Sequence, residues 1–89
     1  MLEVKNSVKF KKDLKKFKHQ QAIVEELNEV LKLLSNQLPL TKKYCDHFLT
    51  GPWTGRRECH IKPDILLIYM TDETTLYLER IGSHSELFR

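Results

Sequence analysis

The sequence predicts an α+β fold of two layers, in which a helical hairpin packs on a small antiparallel sheet in the order β-α-α-β-β-β. Apolar residues recur with the helical period before residue 37, and with a period of two after residue 55. The chain has 89 residues, enough for one hydrophobic core but too few for two. We therefore expect residues 1–89 to form a single domain.

Two amphipathic helices account for the first half of the chain. The first follows an N-cap at Asn6 or Ser7, and the second covers residues 23–34. A break near residues 18–21 should fold them into an antiparallel hairpin, because one unbroken helix would have little to pack against in so small a domain. The apolar face of the first helix is formed by Phe10, Leu14 and Phe17.

The strands are predicted from short alternating or continuous apolar segments. A loop at residues 44–55, anchored by Trp53, separates the helices from three strands joined by short turns as a meander. The middle strand is apolar throughout, which is typical of a strand at the centre of a sheet. The predicted strands cover residues 2–5, 56–61, 65–70 and 74–81.

Positive charge is concentrated in the first helix. The net charge is +3, yet residues 1–43 carry ten Lys against five acidic residues, while residues 44–89 carry five basic residues against seven acidic ones. Six Lys and one Asp lie within residues 9–18. Such a segment is either a solvated helix face or a surface that attracts a polyanion, an acidic partner or an anionic lipid.

Cysteine content and hydropathy predict the compartment. Cys45 and Cys59 are too few for a disulfide framework, and charged residues occupy the start of the chain where a signal peptide would be apolar. The longest apolar run, residues 65–70, is too short to cross a bilayer. We expect a cytoplasmic protein with free thiols and no membrane partner.

Histidines in the second half of the chain are the candidate catalytic residues. His47, His60 and His84 fall at strand ends or in loops, where residues distant in sequence can converge. Together with Arg80 and Asp64 they match the needs of metal-free RNA cleavage. In that reaction a base removes the ribose 2′-OH proton, a cation stabilises charge on the phosphate, and an acid protonates the leaving 5′-oxygen.

The face on which Arg80 lies is left open by the periodicity. Arg80 has the same parity as Leu76 and Leu78, so regular alternation would direct it into the core. It reaches a solvent-exposed site only if it lies beyond the core or follows a β-bulge.

A zinc site is the alternative interpretation of the histidines and cysteines. The ligand pairs have spacings of C-x-H and adjacent C-H, which differ from the usual C-x(2–4)-C and H-x(3–5)-H patterns. We therefore expect no metal and no other cofactor. The residues concerned are Cys45, His47, Cys59 and His60.

Three sequence blocks resemble a known family. They are DHFLTG at residues 46–51, RECHIKPDILLIY at residues 57–69 and ERIGSHSELF at residues 79–88. In this order they resemble the RelE/ParE superfamily of bacterial toxins, and most closely its YafQ-like branch. The resemblance extends over nearly the whole chain. It implies a RelE-like fold and a toxin of a type II toxin–antitoxin system that cuts translated mRNA on the ribosome and is held inactive by a cognate antitoxin.

The resemblance also implies roles for individual residues. His84 would be the main proton-transfer residue, with Asp64 and His60 as its acid–base and orienting partners. Arg80 would stabilise the charge of the phosphorane-like species.

Other residues would bind RNA. His47 and Phe88 would position the substrate, and Phe88 would do so by stacking on a base. The equally weighted alternative for Phe88 is that its ring packs in the core at the end of the chain. The basic helix would contact ribosomal RNA through Lys11, Lys12, Lys15 and Lys16.

Two other functions fit the same fold. A ParE-like toxin would poison DNA gyrase, although that needs a binding surface rather than a set of proton-transfer residues. A catalytically silent nucleic-acid-binding module is the third hypothesis, because histidine spacing does not determine final geometry.

Overall fold

The computed structural model describes residues 1–88 and contains three helices and a five-stranded sheet. Along the chain the elements are β1 (Glu3–Asn6), α1 (Val8–Lys15), α2 (Gln21–Ser35), β2 (His47–Phe48), β3 (Arg57–Lys62), β4 (Ile65–Thr71), β5 (Thr75–Gly82) and α3 (His84–Leu87). The predicted order of strands and helices is confirmed, with β2 and α3 as additional short elements.

The sheet has the strand order β1-β5-β4-β3-β2 and is mixed. Strands β3, β4 and β5 form the predicted antiparallel meander, and β2 extends it at one edge. The prediction of a purely antiparallel sheet was wrong at the other edge, where β1 runs parallel to β5. The chain between β1 and β5 is long enough to return in either direction, and hydrophobic alternation carries no information about strand direction.

The predicted helical break is present. Ser7 caps α1 by accepting a hydrogen bond from the backbone N–H of Phe10, and α1 ends at Lys15. A turn through residues 16–19 separates it from α2. The two helices pack against different strands of the sheet: α1 packs against β5, and α2 packs against β3. No helix within residues 1–88 is long and apolar enough to span a membrane.

The sheet is buried on both faces, which explains the continuous apolar run of β4. On the helical face Leu67 and Tyr69 pack among residues from α1, α2 and β5. On the opposite face Leu66 and Ile68 pack against Leu87 of α3. Polar positions on that opposite face surround this smaller cluster and form the candidate site.

Candidate functional site

One cross-strand row of four residues brings together two of the predicted site residues, His47 and Arg80. His47 of β2 pairs with Glu58 of β3, Glu58 pairs with Ile68 of β4, and Ile68 pairs with Arg80 of β5. Residues paired across a sheet share a face, so all four point away from the helical core. We call this surface, bounded by His47, Glu58, His60 and Arg80, the site face.

A β-bulge places Arg80 on the site face. Tyr69 pairs with Leu78 and Ile68 pairs with Arg80, so Glu79 is an extra residue without a partner in β4. The extra residue reverses the alternation after Leu78. Of the alternatives that the sequence left open, the bulge is the one found.

Arg80 is held by a carboxylate of α1. Its Nε donates to Asp13 Oδ2 at 2.7 Å and its Nη2 donates to Asp13 Oδ1 at 3.1 Å. This ion pair raises the pKa of the guanidinium further above its already high ordinary value. The Arg80 side chain is 22% exposed, so the guanidinium lies at the border between the core and solvent.

His60 and Asp64 lie at one end of the sheet, where β5 also ends. His60 pairs with Leu66, which pairs with Gly82, so His60 and Gly82 are separated by two strand spacings, or about 10 Å. Asp64 is exposed in the turn that joins β3 to β4 at this same end. The fold therefore gathers the predicted acid–base residues at the strand ends that carry α3.

Gly82 allows α3 to turn back onto the site face. A Cβ at this position would lie 3.3 Å from both Leu87 Cδ2 and Glu86 Oε1, which is tighter than ordinary side-chain contacts. Ser83 then caps α3, since its hydroxyl accepts from the backbone N–H of Glu86. His84 is the first residue of α3 and is exposed to solvent.

Aromatic rings form the border of the site beside His84. The His84 and Phe88 rings have centroids 4.9 Å apart, and the Phe88 ring meets Trp53 edge-on at 6.3 Å. Phe88 also packs against the small cluster of Leu66 and Ile68 while remaining partly exposed. Both roles considered for Phe88, packing and substrate contact, are therefore compatible with its position.

The histidines differ in how they are held. His47 has both ring nitrogens engaged: Nε2 lies 2.9 Å from Glu58 Oε2 and Nδ1 lies 2.7 Å from the carbonyl oxygen of Cys45. Within residues 1–88 the rings of His60 and His84 have no hydrogen-bonded partner. In particular, neither ring forms a hydrogen bond with Asp64. Hydrogen bonds therefore fix the His47 ring but not the rings of His60 and His84.

Known proteins resemble this chain in sequence along nearly its whole length. A model of the family described as bacterial toxin of type II toxin-antitoxin system, YafQ, matches residues 2–89. This chain belongs to the YafQ family. Among curated relatives it is 37% identical over 87 residues to the mRNA interferase toxin YafQ of Escherichia coli strain K12, covering 97% of this chain and 95% of the relative.

Solved structures with the same fold include toxins, alone and in complex with an antitoxin. A metal-bound toxin from Helicobacter pylori is 47% identical, with a TM-score of 0.90 and coverage of 99% of this chain and 100% of that one. YafQ in the E. coli DinJ-YafQ toxin-antitoxin complex is 36% identical, with a TM-score of 0.87 and coverage of 99% and 98%. The predicted family and the RelE-like fold are thus confirmed.

The lysines of α1 lie on the outside of this YafQ-family fold. Lys16 Nζ lies 3.2 Å from Glu86 Oε2, which links the end of α1 to α3. The other three lysines that were predicted to contact RNA are exposed and form no ion pair in the part of the chain that the structure describes. They are Lys11, Lys12 and Lys15.

The residues of the zinc alternative do not converge. Cys59 is fully buried on the helical face, whereas its neighbour His60 lies on the site face. Burial raises the pKa of the Cys59 thiol well above its ordinary range, which disfavours the thiolate that zinc requires. Among residues 1–88 no three His, Cys, Asp or Glu side chains are placed to hold a metal ion.

Sequence reasoning missed several residues that shape the site. Asp13 carried one signal, because it is the single acid within the lysine segment of residues 9–18. Glu58 is buried beside His47, and Arg56 has a buried Nε without a hydrogen-bond partner among the described residues. A cavity of about 490 Å³ also opens beside His60, between α2 and the turn after β3. The burial of Glu58, the buried Nε of Arg56 and the cavity beside His60 have no signature in local sequence.

Proposed function

We propose that this YafQ-family chain is an endoribonuclease that cuts translated mRNA on the ribosome without a metal ion. The observation that carries the proposal is the site face itself. It presents two histidines without hydrogen-bonded partners among the described residues at one end of the sheet, a fixed arginine in the adjoining part of β5, and partly exposed aromatic rings. That set supplies a base, an acid and a stabilising cation, which are the groups that cleavage at a ribose 2′-OH requires.

In the proposed reaction a base removes the 2′-OH proton and the 2′-oxygen forms a bond to the adjacent phosphorus. The bond from phosphorus to the 5′-oxygen then breaks, and an acid protonates that oxygen. The products are a 2′,3′-cyclic phosphate and a 5′-hydroxyl. His84 is the main proton-transfer residue, His60 and Asp64 are its acid–base and orienting partners, and Arg80 stabilises the charge that develops on the phosphate.

The remaining contacts hold the RNA. The His47 ring, fixed at both nitrogens, and the partly exposed Phe88 ring position the nucleotide, Phe88 by stacking. The exposed lysines of α1 contact ribosomal RNA through its phosphates. Since the E. coli relative occurs in a complex with DinJ, we propose that a cognate antitoxin binds this chain. A protein that binds such an antitoxin and translated mRNA would act in the cytoplasm, and we propose that localisation.

The test is single-turnover cleavage of mRNA in a programmed ribosome complex. His84→Ala should slow cleavage by about a hundredfold to ten-thousandfold, the range for losing a general acid or base, while antitoxin binding persists. His60→Ala and Asp64→Ala should lose comparable or smaller factors. Their combination should be less than multiplicative, because residues that act as a unit are not additive.

His19→Ala is the matched control, because His19 is exposed in the turn between α1 and α2 and lies outside the site face. It should cleave at the wild-type rate, and thermal melts should match for all variants. Cleavage by His84→Ala at the wild-type rate would remove its acid–base role. A wild-type protein that leaves mRNA intact and stalls DNA gyrase would replace this function with the ParE-like one.

A further inference from the structure

We infer that Asp13 is a positioning residue that orients Arg80 for catalysis, so that α1 contributes to the chemistry as well as to RNA binding. The inference rests on the proposed function, in which Arg80 stabilises charge on the phosphate. Asp13 is the single acid in the lysine-rich first helix.

Asp13 is buried although its helix is otherwise strongly basic on the outside. The residue is only 6% exposed, and a buried carboxylate is costly unless charge and hydrogen bonds compensate it. Its two oxygens accept three hydrogen bonds. Two come from Arg80, and the third comes from the backbone N–H of Ile81 at 3.1 Å.

These three bonds connect Asp13 to the bulged end of β5. Strand β1 pairs only with residues 75–78 of β5, so the edge of β5 beyond residue 78 is left to α1. Ser7 donates to the carbonyl oxygen of Glu79 at 2.7 Å, and Asp13 accepts from Ile81. The same carboxylate therefore completes the strand edge and fixes the arginine that follows the bulge.

The bonds also select which part of the guanidinium faces the site. Arginine has five N–H donors, and Asp13 engages one on Nε and one on Nη2. The remaining three have no protein acceptor within residues 1–88 and are free to bind a phosphate. Holding a flexible side chain in this orientation before the reaction is what makes a cation effective at developing charge.

The chain provides its own matched control for this inference. Asp46 binds Arg57 in the same bidentate way, with distances of 3.2 and 3.0 Å, and accepts a third bond from the Tyr69 hydroxyl. This second pair holds the loop before β2 against the helical face and contacts no proposed catalytic side chain. Asp13→Asn and Asp46→Asn therefore remove the same charge from the same kind of ion pair.

The expected result is a loss of rate that depends on Arg80. Asp13→Asn retains an acceptor for Ile81 but loses one of the charged oxygens, and it should slow single-turnover cleavage by about tenfold to a hundredfold. The ribosome concentration that gives half the maximal rate should change by less than about twofold, because the interaction strengthens only in the transition state. Asp46→Asn should change the rate by less than about twofold. This should hold even if it lowers the melting temperature by as much as Asp13→Asn does.

A double-mutant cycle separates positioning from a general structural role. In an Arg80→Ala background, Asp13→Asn should slow cleavage by less than about twofold further, since its effect passes through the missing guanidinium. In the wild-type background, the Arg80 Nε–H signal in NMR spectra should be protected from solvent exchange, and Asp13→Asn should remove that protection while the fold persists. If Asp13→Asn does not fold, Asp13→Glu serves instead, with an expected slowing of about tenfold.

Equal slowing by Asp13→Asn with and without Arg80 would overturn the inference, as would equal slowing by Asp46→Asn. A wild-type rate in Arg80→Ala would remove the role of Arg80 and the inference with it. These outcomes are distinct from failure of the proposed function, which is marked by a wild-type protein that does not cleave mRNA at all.

Discussion

At the scale of single residues, the orientation of His84 depends on Glu86 and the capping of α3. Glu86 Oε1 accepts from the backbone N–H of Ser83 at 2.9 Å, while Oε2 lies 3.2 Å from Lys16 Nζ. The hydrogen bond from the Ser83 backbone, helped by Lys16, lowers the pKa of Glu86 to about 2. A four-residue helix has little stability of its own, so this cap determines where its first residue points.

Glu86→Gln should therefore change the acid dependence of stability. The folded pKa is depressed from 4.5 to about 2, so ionised Glu86 contributes stability above pH 4.5 that is lost as the pH falls toward 2. A helix cap typically adds about 1 kcal/mol to the free energy of unfolding. Solvent screening reduces this contribution for Glu86, because its side chain is 36% exposed. Thermal melts between pH 6 and 2.5 measure the difference between wild type and variant.

Glu73→Gln is the control, since Glu73 is exposed in the turn between β4 and β5 and has no ion pair within the described residues. It should follow the wild-type curve. A Glu86→Gln variant that remains equally far below wild type at pH 2.5 and at pH 6 would show that the carboxylate charge does not stabilise α3.

At the scale of elements, the two sides of α1 have different surroundings. On one side Phe10 is buried in the core, and Asp13 and the N-cap residue Ser7 cover the edge of β5. The opposite side is lined with exposed lysines. The helix thus joins the sheet edge that carries Arg80 to a surface that can meet RNA phosphates, and changes on its two sides should have different kinetic effects.

Charge reversal of the outer side should weaken ribosome binding in a salt-dependent way. Because Lys16 is bound to Glu86, the cleanest variant changes only the unpaired lysines, Lys11, Lys12 and Lys15, to Glu. Without these positive charges, association should weaken more at low than at high salt, and the salt slope should fall by about one unit for each phosphate that is no longer neutralised. Ribosome co-sedimentation across a salt series measures both quantities.

A matched variant carries the same charge change elsewhere. Lys5, Lys32 and Lys42 are exposed on β1, α2 and the turn before β2, and their reversal alters net charge equally. That variant should retain a near wild-type slope. Equal weakening by both variants would indicate a general effect of net charge, and unchanged binding by the first would remove α1 from the ribosome interface.

At the scale of the whole molecule, one sheet separates a large core from the site. The helical face carries most buried apolar residues, and the opposite face holds the small cluster of Leu66, Ile68 and Leu87 beneath the site residues. Four strands and α3 each contribute at least one side chain to that site. Correct geometry therefore depends on the register of the entire sheet, and not on one loop.

Activity should not depend on a bound metal ion, because the proposed chemistry is carried by side chains. The purified protein is treated with EDTA, and the chelator is removed before ribosomes are added. The treated protein should cleave mRNA at the same rate as untreated protein. Elemental analysis should find no stoichiometric zinc. One zinc per chain that is lost in Cys45→Ser or Cys59→Ser, or activity that returns only when metal is restored, would contradict the proposed mechanism.

Several features of the fold follow from local sequence. The α1 and α2 helices, the break between them and the β3-β4-β5 meander were predicted because periodicity reports which face of an element is buried, and burial dominates the choice of local structure. Strand β2 was missed because it has two residues, too few to show an alternation. The three sequence blocks sufficed to predict the family, since they cover the strand ends and turns that build the site.

Only the tertiary structure decided how the site residues face one another. The parity of Arg80 with Leu78 predicts burial on the helical face, and the bulge at Glu79 reverses it. Its partner Asp13 lies 67 positions earlier in the chain, and His47 meets Glu58 only because β2 pairs with β3. Periodicity describes neighbours along the chain, whereas register, bulges and ion pairs depend on contacts between distant segments. The sequence by itself therefore determined which elements and which chemical groups this protein has, and long-range packing determined their arrangement.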